Sequence, residues 1–269
     1  MKKEGGDIPF PGWEAVEAEQ RQEDPAIWLT VKDSDNNVVR RIKGAAKKGF
    51  HRIAWDLRFP ATSVIDATAE PTERQPIGIM SLPGTYSVIL SKVVDGQSTD
   101  LAGPVEFKVE RLRQGSLEGS TLEAVEAFWK DLAGFQRQTT AASLCLRKAL
   151  KRVDALKTAL ARTPSAPGQL DHDLHAIRKA LMDMEQQLAG SRSRRQIGEK
   201  NNPTIGSRLS AAMSGTMSST YGPTPTHQRT LEIAKSEFSV FKTLMQKILQ
   251  EDVPAFEKAM QDAGAPFVK

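Results

Sequence analysis

Histidine and acidic side chains at the start of one predicted helix are the first candidates for chemistry. His172 and His175 are three residues apart, so a helix places both on one face, next to Asp171. Imidazole and carboxylate groups are common zinc ligands. No further ligand is identifiable, and acids in a first helical turn complement the helix dipole. The sequence therefore predicts no metal site, with Asp171, His172 and His175 as its weak candidates.

A second acidic cluster, Asp33 to Asn37, is spaced like the start of a calcium-binding loop. The glycine and the late bidentate glutamate of such a loop are missing. Aspartate and asparagine also bond their own backbone in turns, so the cluster predicts a plain hairpin turn.

Three single residues could act in catalysis, but their contexts favour structural roles. His51 lies in an alternating stretch and is predicted on an inward strand face. Asp56 follows Trp55 on that stretch, so the two side chains point to opposite faces and form no sugar site. Cys145 lies in an apolar helical pattern and is predicted to be a small buried side chain. No nucleophile elbow or glycine-rich phosphate loop is present, so neither a catalytic set nor a cofactor is predicted.

Charge and hydropathy exclude several classes of partner. The 37 basic and 33 acidic residues give a net charge of +4, too diffuse for a nucleic-acid-binding stripe. Arg192, Arg194, Arg195 and Lys200 are interpreted as a solvated linker. No apolar run reaches the roughly 18 residues of a membrane span. The first residues lack the apolar core of a signal peptide, so none is expected in this chain.

A change of period divides the chain. Residues 1–24 are polar and predicted to be a lead-in segment. Residues 25–112 alternate apolar and polar side chains between turn signals, which predicts an antiparallel β-sandwich. The connection 60–81 has no clear period, and a loop of this length is expected to pack on an adjacent domain.

Residues 113–269 change to a helical period, which predicts an antiparallel helical bundle. The apolar stripe from Leu170 to Leu188 advances in alternating steps of four and three, as in a heptad seam. The predicted helices cover about 119–162, 169–190, 204–218, 226–250 and 252–263. The expected fold is thus α+β, with the sandwich first and the bundle second.

Several motifs resemble one group of bacterial proteins. They are GFHRIAWDLRFP and LPGTYSVIL in the sandwich, and NNPTIGSRLS, TYGPTPTHQRT and EDVPAFEKAMQDAGAPF in the helical part. Together they are similar to the Ig-like module and helical tail that follow sortilin-type, BNR-repeat β-propellers in glycosyl-hydrolase-like proteins. The strand pattern also resembles the Ig-like domain of the flagellar hook-capping protein.

The resemblance implies a C-terminal, non-catalytic accessory module of a larger protein that is periplasmic or secreted. Its partner would be the propeller of that protein or another protein, and the carboxylates that cut a glycosidic bond would belong to the propeller. Two alternatives stay open: a carbohydrate-binding module, and a free-standing helical protein that forms homo-oligomers or binds other proteins.

Overall fold

The chain forms two compact units. The computed structural model describes residues 10–67, 77–112, 118–217 and 221–268. The described residues of the first unit lie within Met1–Pro60 and Met80–Arg113, and those of the second lie within Ala61–Ile79 and Gln114–Lys269. An antiparallel sheet in the first unit and long helices in the second confirm the α+β class.

The main sheet has four antiparallel strands in the order β2-β1-β5-β6, and β3 pairs with β4 in a separate two-stranded sheet. In chain order the strands are β1 Ala26–Lys32, β2 Val38–Gly44, β3 Arg58–Pro60, β4 Ile77–Met80, β5 Gly84–Val94 and β6 Gln97–Val109. The helix α1, Trp13–Arg21, precedes the sheet in the predicted lead-in segment and buries none of its residues.

The predicted turn between β1 and β2 is confirmed. Asp33 accepts hydrogen bonds at Oδ1 from the backbone N–H groups of Asp35 and Asn37, at 3.0 and 2.8 Å. Asn36 takes a positive φ of 64°, which asparagine tolerates better than most residues. The carboxylate is therefore engaged in shaping the turn.

One face of the sheet carries a small apolar core. Val31, Val39 and Tyr86 are buried there, and Trp55 and Phe107 pack against them half-buried. The ring of Trp55 meets that of Tyr86 edge-on, with centroids 5.1 Å apart. Tyr86 is thus a core residue, and Trp55 lies at the margin of this core.

The strand predicted over HRIAWDL is wrong, because regular pairing begins only at Arg58. Leu57 has a φ of 57°, which interrupts an extended chain. Asp56 Oδ1 accepts from the N–H of Arg58 at 3.1 Å, and this local bond competes with strand pairing. His51 is consequently exposed rather than inward, with Nε2 2.6 Å from the carbonyl oxygen of Lys47.

The second unit is built from helices that share one apolar core. They are α2 Leu122–Leu160, α3 Gln169–Ala189, α4 Arg192–Gln196, α5 Ile205–Met217, α6 Pro225–Lys247 and α7 Val253–Asp262, with a π-helical turn Ile248–Asp252 between α6 and α7. Their ends lie within three residues of those expected from the period. The core includes Leu132 of α2, Leu181 and Met184 of α3, and Phe241 of α6.

Side chains at the helix starts satisfy N–H groups that a helix leaves unpaired. Thr121 accepts from the N–H of Ala124 at the start of α2. Thr224 accepts from the N–H of His227 at the start of α6, and His227 Nδ1 accepts in return from the N–H of Thr224 at 3.2 Å. These reciprocal bonds fix where α6 begins.

The expectation that Cys145 is buried is wrong, because its side chain is exposed. The buried stripe of this part of α2 consists of Ala142, Leu146 and Ala149. Cys145 precedes Leu146 by one residue, which turns its side chain by about 100° away from that stripe. An apolar stretch of a helix therefore need not have all of its side chains buried.

The described residues 61–67 and 77–79 group with the helical unit, whereas the sequence predicts them inside the first domain of 25–112. In the described part, Thr62 Oγ1 donates to the carbonyl oxygen of Ala133 in α2 at 3.1 Å. This hydrogen bond joins the described part of the connection to α2. Residues 68–76 of that connection lie outside the described residues.

Candidate functional site

The three metal candidates are not brought together at one point. Asp171 accepts the N–H of Gly168 at 2.9 Å, which caps α3. His172 is exposed, with Nδ1 3.4 Å from Asp173 Oδ1. His175 and Asp171 line a cleft of about 460 Å³ together with Lys157. Among the described residues, no group of three histidine, cysteine or acidic side chains could hold a metal.

Trp55 and Asp56 likewise form no joint site. The indole Nε1 of Trp55 donates to the carbonyl oxygen of Arg58 at 3.1 Å, while its ring packs on the sheet core. The carboxylate of Asp56 accepts the backbone bond from Arg58 described above. Both side chains thus stabilise the entry into β3.

An isolated ion pair between α2 and α7 also has a structural role. Arg152 donates to both carboxylate oxygens of Glu257, with Nη2 to Oε2 at 3.0 Å. The hydrogen bond that Arg152 donates to Glu257 raises the pKa of Arg152 above its usual range, so the guanidinium stays charged. The pair links α7 to the longest helix of the unit.

A cleft in the helical unit is the strongest candidate for a binding site. Its volume is about 710 Å³, within the range of small-molecule sites. It lies where α2, the end of α3 and the start of α5 meet, and its walls include Ser143, Leu188, Arg195 and Asn202. We call it the α2/α5 cleft.

A neighbouring cleft of about 540 Å³ shares one wall with the α2/α5 cleft. The shared wall is the segment 201–204, Asn-Asn-Pro-Thr. Arg194 and Asp183 line the neighbouring cleft. Asp183 Oδ2 accepts from Lys179 Nζ at 2.9 Å, so this carboxylate already has a cationic partner.

A side-chain clamp holds the segment that forms the shared wall. Asn201 Oδ1 accepts the N–H of Ser191 at 2.9 Å, and Asn201 Nδ2 donates to the carbonyl oxygen of Ser191 at 3.3 Å. Gly190, with a φ of 80°, ends α3 and brings the chain beside Asn201. The loop 191–201 is therefore closed at its ends by one amide side chain.

The start of α5 is fixed by a reciprocal cap. Thr204 Oγ1 accepts the N–H of Ser207 at 3.1 Å, and Ser207 Oγ accepts the N–H of Thr204 at 2.7 Å. Gly206 lies so close to α3 that a Cβ atom there would be 2.7 Å from the carbonyl oxygen of Leu188. The cap and this close approach position one side of the cleft.

The charge of the α2/α5 cleft is positive. Arg195 is the ionisable residue among those that line it, and none of them carries a carboxylate. General acid–base catalysis needs a titratable group that can exchange a proton near neutral pH, which a guanidinium does not do. The arrangement is suited to binding a polar or anionic group.

Sequence reasoning interpreted residues 191–203 as a polar linker and so missed this cleft. The available signal was the asparagine pair before Pro203, since asparagine side chains commonly bond nearby backbone groups. The pattern of arginines did not show which of them would line a cavity.

No protein-family model, curated protein or solved structure matches the chain. The resemblance to the propeller-associated modules therefore stays a prediction. Among the described residues, no helix is both long enough and apolar enough to cross a bilayer.

Proposed function

We propose that the chain is a non-catalytic accessory module that binds another protein through its sheet. The supporting observation is the exposure of β6, an edge strand of 13 residues. Leu101 and Val105 of this strand are 49% and 60% exposed. Edge strands with exposed apolar side chains are natural contact surfaces, because a partner removes those side chains from water.

The finer architecture is part of this proposal. The sheet unit would be an Ig-like β-sandwich, in which the stretch 51–60 covers the apolar face of the main sheet. The helical unit would be an antiparallel bundle. The fully buried stripe of α3, Leu174 to Leu188, supports it, since a helix with one apolar face must bury that face on neighbouring helices.

The proposed partner is a sortilin-type, BNR-repeat propeller of a periplasmic or secreted glycosyl-hydrolase-like protein. This part rests on the resemblance of the sequence motifs. The positive cleft described above adds no residue that could cut a glycosidic bond, which needs a pair of carboxyl groups.

Calorimetric titration of the full chain against a recombinant propeller of that type tests the proposal. Val105→Lys is expected to weaken binding about tenfold or more, because a buried valine contributes about 1.5–3 kcal/mol. Thr99→Lys is the matched control on the same strand and should change binding less than twofold. Hydrolysis of an oligosaccharide by the purified chain, or equal losses from both variants, would refute the proposal.

Carbohydrate binding is a second candidate because Trp28 lies on the polar face of the main sheet. Arg41 stacks over its ring at 4.5 Å, so one ring face is already covered. If this candidate is right, calorimetry with plant and bacterial polysaccharides should show a heat of binding that is lost when Trp28 is replaced by alanine. No heat from any polysaccharide would dismiss it.

Self-association is a third candidate because α6 exposes two apolar side chains one turn apart. Val240 is 73% and Leu244 is 39% exposed. Light scattering at high protein concentration should then show a dimer that Val240→Lys dissociates. A strictly monomeric chain would exclude association through α6.

A further inference from the structure

The segment 192–200 concentrates positive charge. It contains Arg192, Arg194, Arg195 and Lys200 but only Glu199 as an acid, so four minus one gives +3. None of its four cations forms an ion pair within the described part of the chain. Cations elsewhere in the helical unit, such as Arg208 with Glu237 at 3.1 Å, do find partners.

Three side chains that can donate hydrogen bonds line the α2/α5 cleft. They are the guanidinium of Arg195, the side-chain amide of Asn202 and the hydroxyl of Ser143. None of these three side chains has a hydrogen-bond partner among the described residues. Thr139 and Thr140 of the same cleft instead donate to the carbonyl oxygen of Gln136. These three donors therefore come from α2, from α4 and from the segment before α5, and they line the same cavity.

Hydrogen bonds within the chain hold the wall that carries Asn202. Asn201 clamps the loop to Ser191, and Thr204 and Ser207 cap α5 directly after Pro203. Binding to donors that are already fixed costs less conformational entropy than ordering a loose loop.

We propose that the α2/α5 cleft binds a soluble ligand through a phosphate or a similar oxyanion. Arg195 would supply the charge and a two-pronged hydrogen bond, which matches the geometry of a phosphate. Asn202 and Ser143 would donate to the remaining oxygens. Arg194 lines the neighbouring cleft across the shared wall and adds positive potential. This proposal concerns the helical unit and does not depend on the proposed contact of β6.

The probe is inorganic pyrophosphate at low salt. Its binding is measured by calorimetry and by changes in the amide chemical shifts of the protein. Arg195→Gln should weaken binding at least about tenfold, because hydrogen bonds to charged groups contribute about 1.5–3 kcal/mol. Ser143→Ala should weaken it by about two- to tenfold, since a neutral donor contributes about 0.5–1.5 kcal/mol. Shifted amides should belong to residues 140–143 and 201–207.

Arg192→Gln is the matched control, because Arg192 belongs to the same short helix but lines neither cleft. It removes the same charge and should change binding less than twofold. If both arginine variants lost the same affinity for pyrophosphate, binding would depend only on the positive potential of the segment 192–200. That result would overturn the proposal. An absence of saturable binding would overturn it as well.

The same variants are also tested for binding to vesicles of an anionic phospholipid. Binding to vesicles but not to pyrophosphate would contradict a soluble ligand and point to a lipid headgroup. Unchanged circular dichroism of each variant ensures that a loss of binding is not a loss of folding. Both arginines are exposed, so their replacement removes no core contact.

Discussion

Gly206 allows α5 to approach α3 closely, and Gly206→Ala tests that approach. An ideal Cβ at this position would lie 2.7 Å from the carbonyl oxygen of Leu188. Ordinary contact begins near 3.4 Å, so one backbone must move by about 0.7 Å. Overpacking of this kind costs about 1–3 kcal/mol. Alanine also favours a helix over glycine by about 0.5–1 kcal/mol, which offsets part of that cost.

Gly134→Ala is the matched control because Gly134 lies in α2 and its added Cβ would meet nothing within 4 Å. It should raise the free energy of unfolding by about 0.5–1 kcal/mol. Gly206 is the second residue of α5, where the gain in helix propensity is smaller than in the middle of α2, so Gly206→Ala should be less stable than Gly134→Ala by at least about 1–3 kcal/mol.

Urea unfolding followed by circular dichroism at the helix band measures this difference, since most of the helix belongs to the second unit. Native-state hydrogen exchange of the amides of α3 and α5 shows whether this difference in stability arises where the two helices meet. If Gly206→Ala were as stabilising as Gly134→Ala, the backbones of α3 and α5 would not be in contact at Leu188, and the proposed wall of the cleft would be wrong.

Three further changes have defined outcomes. Leu181→Ala removes a fully buried side chain and should lower the free energy of unfolding of the helical unit by about 2–5 kcal/mol; a loss below about 1 kcal/mol in the same urea assay would contradict the packing. Tyr86→Phe removes the 2.6 Å hydrogen bond to the Leu82 carbonyl oxygen and should lower the free energy of unfolding of the sheet unit by about 1 kcal/mol. Unfolding is followed by tryptophan fluorescence, and an unchanged unfolding midpoint would argue against that bond. Asn201→Ala removes both bonds to Ser191 and should speed hydrogen exchange in the loop 191–201; unchanged protection would mean that the clamp does not hold the loop.

Helical periodicity was sufficient to predict the long helices, because each buries a regular stripe. In α3, Leu174, Ile177, Leu181, Met184 and Leu188 are all buried, as the alternating steps of four and three predict. The same rule gave a wrong prediction for Cys145, which is exposed. A run of consecutive apolar residues covers more of the helix surface than the stripe that is buried against other helices. Periodicity thus predicts which face is buried more reliably than which residue is.

Alternation was less reliable for the strands because it does not show where pairing stops. HRIAWDL alternates, and Ile53 and Trp55 are indeed half-buried, yet the stretch forms no ladder. The bond from Asp56 to the N–H of Arg58 and the positive φ of Leu57 shape the chain instead. Local side-chain chemistry decided the outcome there, as it did at the turn after Asp33.

The asparagine pair before Pro203 indicates local backbone bonding, but the position of the α2/α5 cleft could not be predicted from the sequence, for a physical reason. Its donors come from positions 143, 195 and 202, which helical packing brings to one cavity, and no local pattern relates them. Arg192, Arg194 and Arg195 look equivalent in the sequence, yet only the last lines the α2/α5 cleft. A basic run in a linker is usually solvated, and that rule describes Arg192. Arg195 is exposed as well, but it also lines the α2/α5 cleft, beside the wall that the clamp at Asn201 and the cap at Thr204 hold. The contrast between these two arginines is therefore the sharpest test of whether the segment is a linker or a site.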